Sequence, residues 1–302
     1  MLDVKTLKQQ LDGEGLRTEL GAIYPATAEN TYQRKRLARV LDLYVQLFPD
    51  RTEAALFSAP GRTEISGNHT DHNNGRVLAA AVNLDAVAAA AGNGLATVRV
   101  KSENYNLDSV DLARMSPVQG EKGRSQSLIR GICAGFTQRG YAVGGFDAAT
   151  ASDVIAGSGL SSSAAFEVLI CTAINHLFND GRVSAAEMAV ISQQAENNYF
   201  GKPCGLMDQT ACAEGGFVAI DFEDIARPVI EKISFNFDAC GHALCIVDTG
   251  GSHSGLTEEY AAVRGEMQAV AREMGKSVLR QVLPGEFERA IPVLRQSAGD
   301  RA

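Results

Sequence analysis

The most apolar stretch of the chain, Val77–Ala91, reads VLAAAVNLDAVAAAA and is interrupted by Asn83 and Asp85. It is too short to span a bilayer, which takes about 20 apolar residues of helix. Such a stretch must be buried inside a water-soluble core. Composition agrees, because 45% hydrophobic and 21% charged residues are ordinary for a globular protein and argue against long disorder. A length of 302 residues is enough for two domains or one large one. The net charge of −8 argues against a nucleic-acid partner or an anionic membrane surface, both of which want clustered Lys and Arg. It leaves room for a local basic pocket. The first residues, MLDVKTLKQQLDGEG, mix both charge signs and lack the apolar run of a signal peptide. The six cysteines show no C-x-x-C spacing and read as reduced, mostly buried thiols of a cytoplasmic protein. His69 and His72 have neither Cys neighbours nor helical i, i+4 spacing, so no zinc site is expected.

Residues 31–48 place Leu37, Val40, Leu41, Tyr44, Leu47 and Phe48 at helical steps. Arg34, Lys35, Arg36 and Arg39 then form a basic outer face, read as solvated. Strand-like pieces follow at Ala54–Ala59, Val77–Val82 and the alternating Thr97–Lys101. Helices are expected near Gln126–Arg139, from the turn at Val154–Leu160 to about Phe178, and over Ser184–Tyr199, where Ser184 and Glu187 make a capping box. Gly216–Phe222 and Ala243–Asp248 read as strands, and Leu256–Met274 as a helix. Strands and helices mix without a regular βαβ rhythm, so the fold class is α+β. The best domain boundary lies near Phe222–Val229.

Three segments carry chemistry. In VIAGSGLSSSAAFEVLICTAIN, Gly157 and Gly159 allow backbone angles closed to other residues, and Ser161–Ser163 lead into an apolar helix. Exposed N–H groups at such a helix start make an anion site, suited to a polyphosphate or serving merely as a cap. Neither a Walker loop nor a dinucleotide fingerprint is present. In APGRTEISGNHTDHNNGRVL, Arg62, Glu64, Asn68, His69, Asp71 and His72 crowd between two strand-like runs. That density suits recognition of sugar hydroxyls, and a plain hairpin turn at Asn73–Gly75 is the competing reading. In PCGLMDQTACAEGG, Asp208 sits among small and apolar residues, where an ionised carboxylate needs a cation.

Together and in order, these segments resemble the galactokinases and, more widely, the GHMP small-molecule kinases. The second segment is similar to the galactokinase signature APGRxNLIGEHTDYNxGxVL, and the first to the family's phosphate loop. AENNYFGKPCGLMDQ and VDTGGSHSGLTEEYAAVR resemble the segment carrying the catalytic Asp and the one after it. The resemblance implies a two-domain GHMP kinase fold, with a ribosomal-protein-S5-domain-2-like unit over residues 1–225 and an incomplete ferredoxin-like unit over residues 226–302. It implies an ATP-dependent sugar-1-kinase, acting as a monomer on galactose or a related hexose with Mg²⁺. A non-catalytic sugar and ATP sensor is the alternative. Asp208 would take the proton of the anomeric hydroxyl, with Arg62 beside it. Gly157, Ser158, Gly159, Leu160, Ser161, Ser162 and Ser163 would cradle the ATP phosphates. Asn68, His69, Asp71, Gly205 and Tyr260 would line the sugar pocket, and Ser163 and Glu196 would hold the metal.

The chain departs from the signature at several positions. Asn68 stands where the signature has Glu, Glu64 where it has Asn, His72 where it has Tyr, and Ile155 where the phosphate loop has Pro. Loss of the Glu carboxylate removes a charge-assisted hydrogen bond, roughly twice as strong as a neutral one, so a modified hexose is the expected substrate. The family's third Gly-rich motif is missing, which suggests a piece of a longer protein.

Overall fold

A computed structural model describes residues 1–13, 15–24, 31–67, 69–247 and 257–300. Its elements are β1 (Leu2–Asp3), α1 (Val4–Asp12), α2 (Arg17–Ile23), α3 (Thr31–Leu47), β2 (Glu53–Ser66), β3 (Arg76–Gly92), β4 (Thr97–Ser102), β5 (Leu107–Asp111) and α4 (Ser125–Gln138). There follow β6 (Phe146–Ser152), α5 (Ser162–Phe178), α6 (Ala185–Ala195), α7 (Met207–Glu214), β7 (Phe217–Asp221), β8 (Val229–Ile233), α8 (Thr257–Glu273) and α9 (Pro284–Ser297). This is the expected α+β mixture, with longer strands than the local patterns suggested.

The apolar stretch is the centre of it. Strand β3 runs through 17 residues, and helices cover both of its faces. Ala86, Ala88 and Ala90 face the core shared with α4, α5 and α6, whereas Val87, Ala89 and Ala91 face the core under α1 and α3. Period-2 alternation with small side chains on both faces lets two helical layers approach one strand closely. The described strands form a single sheet in the order β1-β2-β3-β6-β4-β5, antiparallel except for the parallel β4–β6 pair. Strand β2 lines one side of β3. On the other side β3 pairs with β7 over residues 76–80 and with β6 over residues 86–92. The sheet therefore forks at Ala81–Asp85. Strand β8 extends the sheet from β7.

Helix α3 buries Leu37, Val40, Leu41 and Tyr44 as its periodicity demands. Its basic face needs a correction. Arg36 is 1% exposed, not solvated. Its guanidinium pairs with Asp85 and Asp153 and donates to the Asp85 carbonyl at 3.2 Å. Asp85 also accepts from the Ser58 hydroxyl and, at 2.5 Å, from Tyr24 Oη. This buried network is what the polar interruption of the apolar stretch serves.

Helix α6 starts on the expected Ser184–Glu187 capping box. It stops at Ala195, four residues short of the expected end, and a π-helical turn, Glu196–Phe200, follows. Residues 243–247 form no strand, contrary to expectation, and Asp248 lies outside the described residues. Cys133, Cys171 and Cys212 are buried, whereas Cys240 and Cys245 are exposed. Among the described residues no helix is long and apolar enough to cross a membrane.

Candidate active site

The fork in the sheet places the chemistry. Strand β2 breaks register between Pro60 and Arg62, and Arg62 N donates to the Leu160 carbonyl at 3.1 Å. A bulge of this kind re-aims the side chain that follows it. A Cβ at Gly61 would lie 2.8 Å from that carbonyl, so glycine lets β2 and the loop after β6 meet. Residue Asp153 is the first beyond β6, and its N–H bonds the Asp85 carbonyl at 2.9 Å. From there the chain enters the Gly/Ser turn.

In that turn Gly157, Gly159 and Ser161 have φ of 76°, 80° and 57°. Alternating left-handed residues of this kind can turn N–H groups toward one side, the geometry of an anion-binding concavity at a helix start, though here the Ser158 N–H donates back to the Ile155 carbonyl at 3.3 Å. Ser158 closes the turn through its hydroxyl on the Ile155 carbonyl at 2.7 Å. Leu160 is buried and anchors the loop. Ser161 occupies the position before α5 without capping it. Its hydroxyl goes to Asp208 instead. Ser162 and Ser163 open the helix and are half-buried.

Asp208 sits in the first turn of α7. Arg62, itself 5% exposed, donates to Asp208 Oδ1 from Nε at 2.8 Å and approaches it from Nη2 at 2.7 Å. Its Nη1 reaches the Gly159 carbonyl at 2.5 Å. Burial alone would raise the Asp208 carboxyl. The Arg62 charge, the Ser161 hydroxyl and nearby His69 outweigh that and hold it below the ordinary carboxylate range. An ionised carboxylate thus stands beside a guanidinium against the Gly157–Ser161 turn.

The polar loop between β2 and β3 lies next to it. His69 adopts φ 53°, and its N–H donates to Glu64 Oε1 at 3.0 Å. Glu64, an oddity in the sequence, thereby holds the loop in this shape. Asp71 is 4% exposed, and its carboxylate accepts from His72 N at 3.1 Å and from Met207 N at 3.4 Å. Burial raises the Asp71 carboxyl, the Asp208 charge adds to this, and His72, His69 and the Met207 N–H oppose it. Burial lowers His72, against the pull of Asp71. Asp71 and Gly205 line a cavity of about 270 Å³ with His72, Asn197, Phe222 and Arg264. Asn73 ties the loop to the C-terminal helices through Met267 Sδ at 3.0 Å and Leu279 N at 3.2 Å. The loop also closes the β2–β3 hairpin, as the competing turn reading expects.

Gly205 is more than a lining residue. A Cβ there would lie 1.7 Å from Asp71 Oδ2. Gly205→Ala is expected to displace Asp71 and lower stability by about 1–3 kcal/mol. A thermal melt checks this. An unchanged melt would mean that the added methyl is taken up without moving Asp71.

Of the expected metal ligands, Glu196 is 2% exposed and accepts from Lys202 Nζ at 3.1 Å and Gln209 Nε2 at 2.9 Å. The structure adds residues that motif reading missed, namely Glu167, Gln209 and Lys202. A single Glu inside the apolar run of α5 was the available signal for the first. Two expected sugar-site residues go undescribed. Asn68 lies outside the described residues. Tyr260 falls in α8, but its side chain lies outside the described part as well.

Comparison with known proteins bears on this arrangement. Residues 127–216 match the GHMP kinases N terminal domain, and residues 42–92 match the galactokinase galactose-binding signature. A galactokinase from Streptomyces coelicolor is 34% identical over 239 residues, which cover 78% of this chain and 61% of that protein. One from Thermotoga petrophila is 32% identical over 240 residues, covering 80% and 66%. The chain thus spans about three-fifths to two-thirds of the length of these two relatives. A crystal structure of Lactococcus lactis galactokinase complexed with galactose superposes with TM-score 0.70 at 21% identity, covering 85% of this chain and 69% of that one. At that identity the likeness shows the fold. The phosphate loop falls inside the first matched region, the polar loop inside the second, and on these matches the chain is a galactokinase-like member of the GHMP kinase family.

Proposed function

We propose that the protein transfers the γ-phosphate of ATP to the anomeric hydroxyl of galactose or a related hexose. The observation that carries this is the Arg62–Asp208–Ser161 cluster at the mouth of the left-handed Gly157–Ser161 turn. Asp208 accepts the anomeric proton as the sugar oxygen bonds the γ-phosphorus. The bond from that phosphorus to its bridging oxygen breaks, and ADP leaves. Arg62 keeps Asp208 ionised and offers its remaining positive charge to the moving phosphoryl group. Phosphoryl transfer asks mainly for positioning and charge neutralisation, which this set supplies.

The backbone N–H groups of Gly157 to Ser163 hold the polyphosphate, and His69, Asp71 and the Gly205 backbone hold the sugar, with Asn68 and Tyr260 as further members. Ser163 and Glu196 fit Mg²⁺. They are hard oxygen donors, and Glu196 already draws a cation, the Lys202 ammonium. Two protein ligands would suit an ion that keeps waters and phosphate oxygens around it. When bound, Mg²⁺ supplies neutralisation of phosphate charge. The same proposal takes the protein as a cytoplasmic monomer, divided near residue 225 into two GHMP kinase units.

A panel of hexoses, plain, N-acetylated and otherwise modified, incubated with ATP and Mg²⁺ tests the reading through ADP release. Turnover of one or more is expected, with a modified hexose favoured over galactose because Asn68 replaces the signature Glu. Tight binding of sugar and ATP without ADP release would overturn it in favour of a sensor.

A further inference from the structure

Behind the Arg62–Asp208 pair lie two buried carboxylates. Glu167, on α5, is fully buried, and Glu196 opens the π-helical turn. Gln209, next to Asp208 on α7 and likewise fully buried, stands between them. Its Nε2 donates to Glu167 Oε2 at 3.2 Å and to Glu196 Oε2 at 2.9 Å. The amide therefore ties together the phosphate-loop helix, the turn that carries Glu196 and the helix that carries Asp208.

Two buried oxygens in this knot have no hydrogen-bond partner, Glu167 Oε1 and Gln209 Oε1. Leaving two acceptors unsatisfied in a dry interior is costly. One proton removes both vacancies. A carboxylic acid and a carboxamide can pair through two antiparallel hydrogen bonds, with the amide N–H on one carboxyl oxygen and the carboxyl O–H on the amide oxygen. Each of the two side chains such a ring would join contributes one of the unpartnered oxygens. The cation beside this knot, Lys202, lies against Glu196 Oε1 at 3.1 Å.

We propose that Glu167 is a positioning residue of the phosphoryl-transfer site, its carboxyl paired with the Gln209 carboxamide so that the amide's second N–H holds Glu196 in place beside the Asp208 turn. The inference rests on the kinase reading above. Nothing in Glu167 touches the reacting groups; it acts through Gln209.

The test compares Glu167→Gln and Glu167→Ala in the 302-residue chain. In Glu167→Gln a second carboxamide can form the same two-bond ring, so kcat should stay within about threefold of the parent. In Glu167→Ala the ring is gone, and kcat should fall about tenfold or more while KM for ATP and sugar shift less than about threefold. Equal losses in the two variants, or a loss in Glu167→Ala confined to KM, overturn the proposal. Should Glu167→Ala not fold, infrared difference spectra of the parent against Glu167→Gln still decide. A protonated-carboxyl band present in the parent and absent from the variant supports the pairing, and its absence from the parent overturns it. Because that band needs no turnover, a parent chain that shows it yet phosphorylates no sugar condemns the kinase reading and not the pairing.

Discussion

Asp208→Asn is expected to lower kcat by about 10³-fold or more while leaving ATP affinity intact or tighter. The amide oxygen can still accept from Arg62, and the amide nitrogen can face the Ser161 oxygen, so the local geometry survives. What disappears is the negative charge that, in the proposed reaction, receives the anomeric proton. Arg62 is 5% exposed and would then sit with its guanidinium uncompensated, which favours an added polyphosphate. Stopped-time ADP assays with a fluorescent ATP analogue measure both quantities. A variant that keeps more than a tenth of its turnover would mean that another group takes the proton.

The largest effect on stability is expected at Arg36. Arg36→Met keeps the volume of the stem but leaves Asp85 and Asp153 without their shared cation. Breaking a buried pair by deleting one partner costs about 3–5 kcal/mol, because a charge remains behind uncompensated. That is a large fraction of the stability of an ordinary domain, and the melting temperature should fall on the order of 10 °C. Adding Asp85→Asn should recover part of the loss, since Tyr24 and Ser58 can then bond a neutral amide. A functional consequence follows from position, because Asp153 is the last residue before the phosphate loop. KM for ATP should rise in the single variant. A melt unchanged within a degree or two would show the network to be idle.

Arg36 also shows where sequence reading stops. Charge counted along helix α3 grouped it with Arg34, Lys35 and Arg39. Angle around the helix groups it with Gln33, Leu37, Val40 and Tyr44, the buried stripe. The signal was present, and the weight given to charge hid it. The shape of the Gly157–Ser161 turn was legible because glycines and short polar residues in fixed order reflect backbone angles that few other residues adopt. The left-handed φ values at Gly157 and Gly159 are that requirement made visible. The π-helical turn at Glu196–Phe200 was not legible, since α and π turns share the same residue preferences and only tertiary packing separates them. Nor was the long reach of β2 and β3. Their polar ends look like loop until a neighbouring strand pairs with them.

Strand β3 begins where the polar loop ends, and its far half pairs with the strand that feeds the Gly/Ser turn. Both loops proposed to bind substrate are thus rooted in one strand. Under that proposal, a ligand that binds only the folded form of either loop stabilises the shared strand by mass action, and so protects the other loop against unfolding with no contact between the ligands.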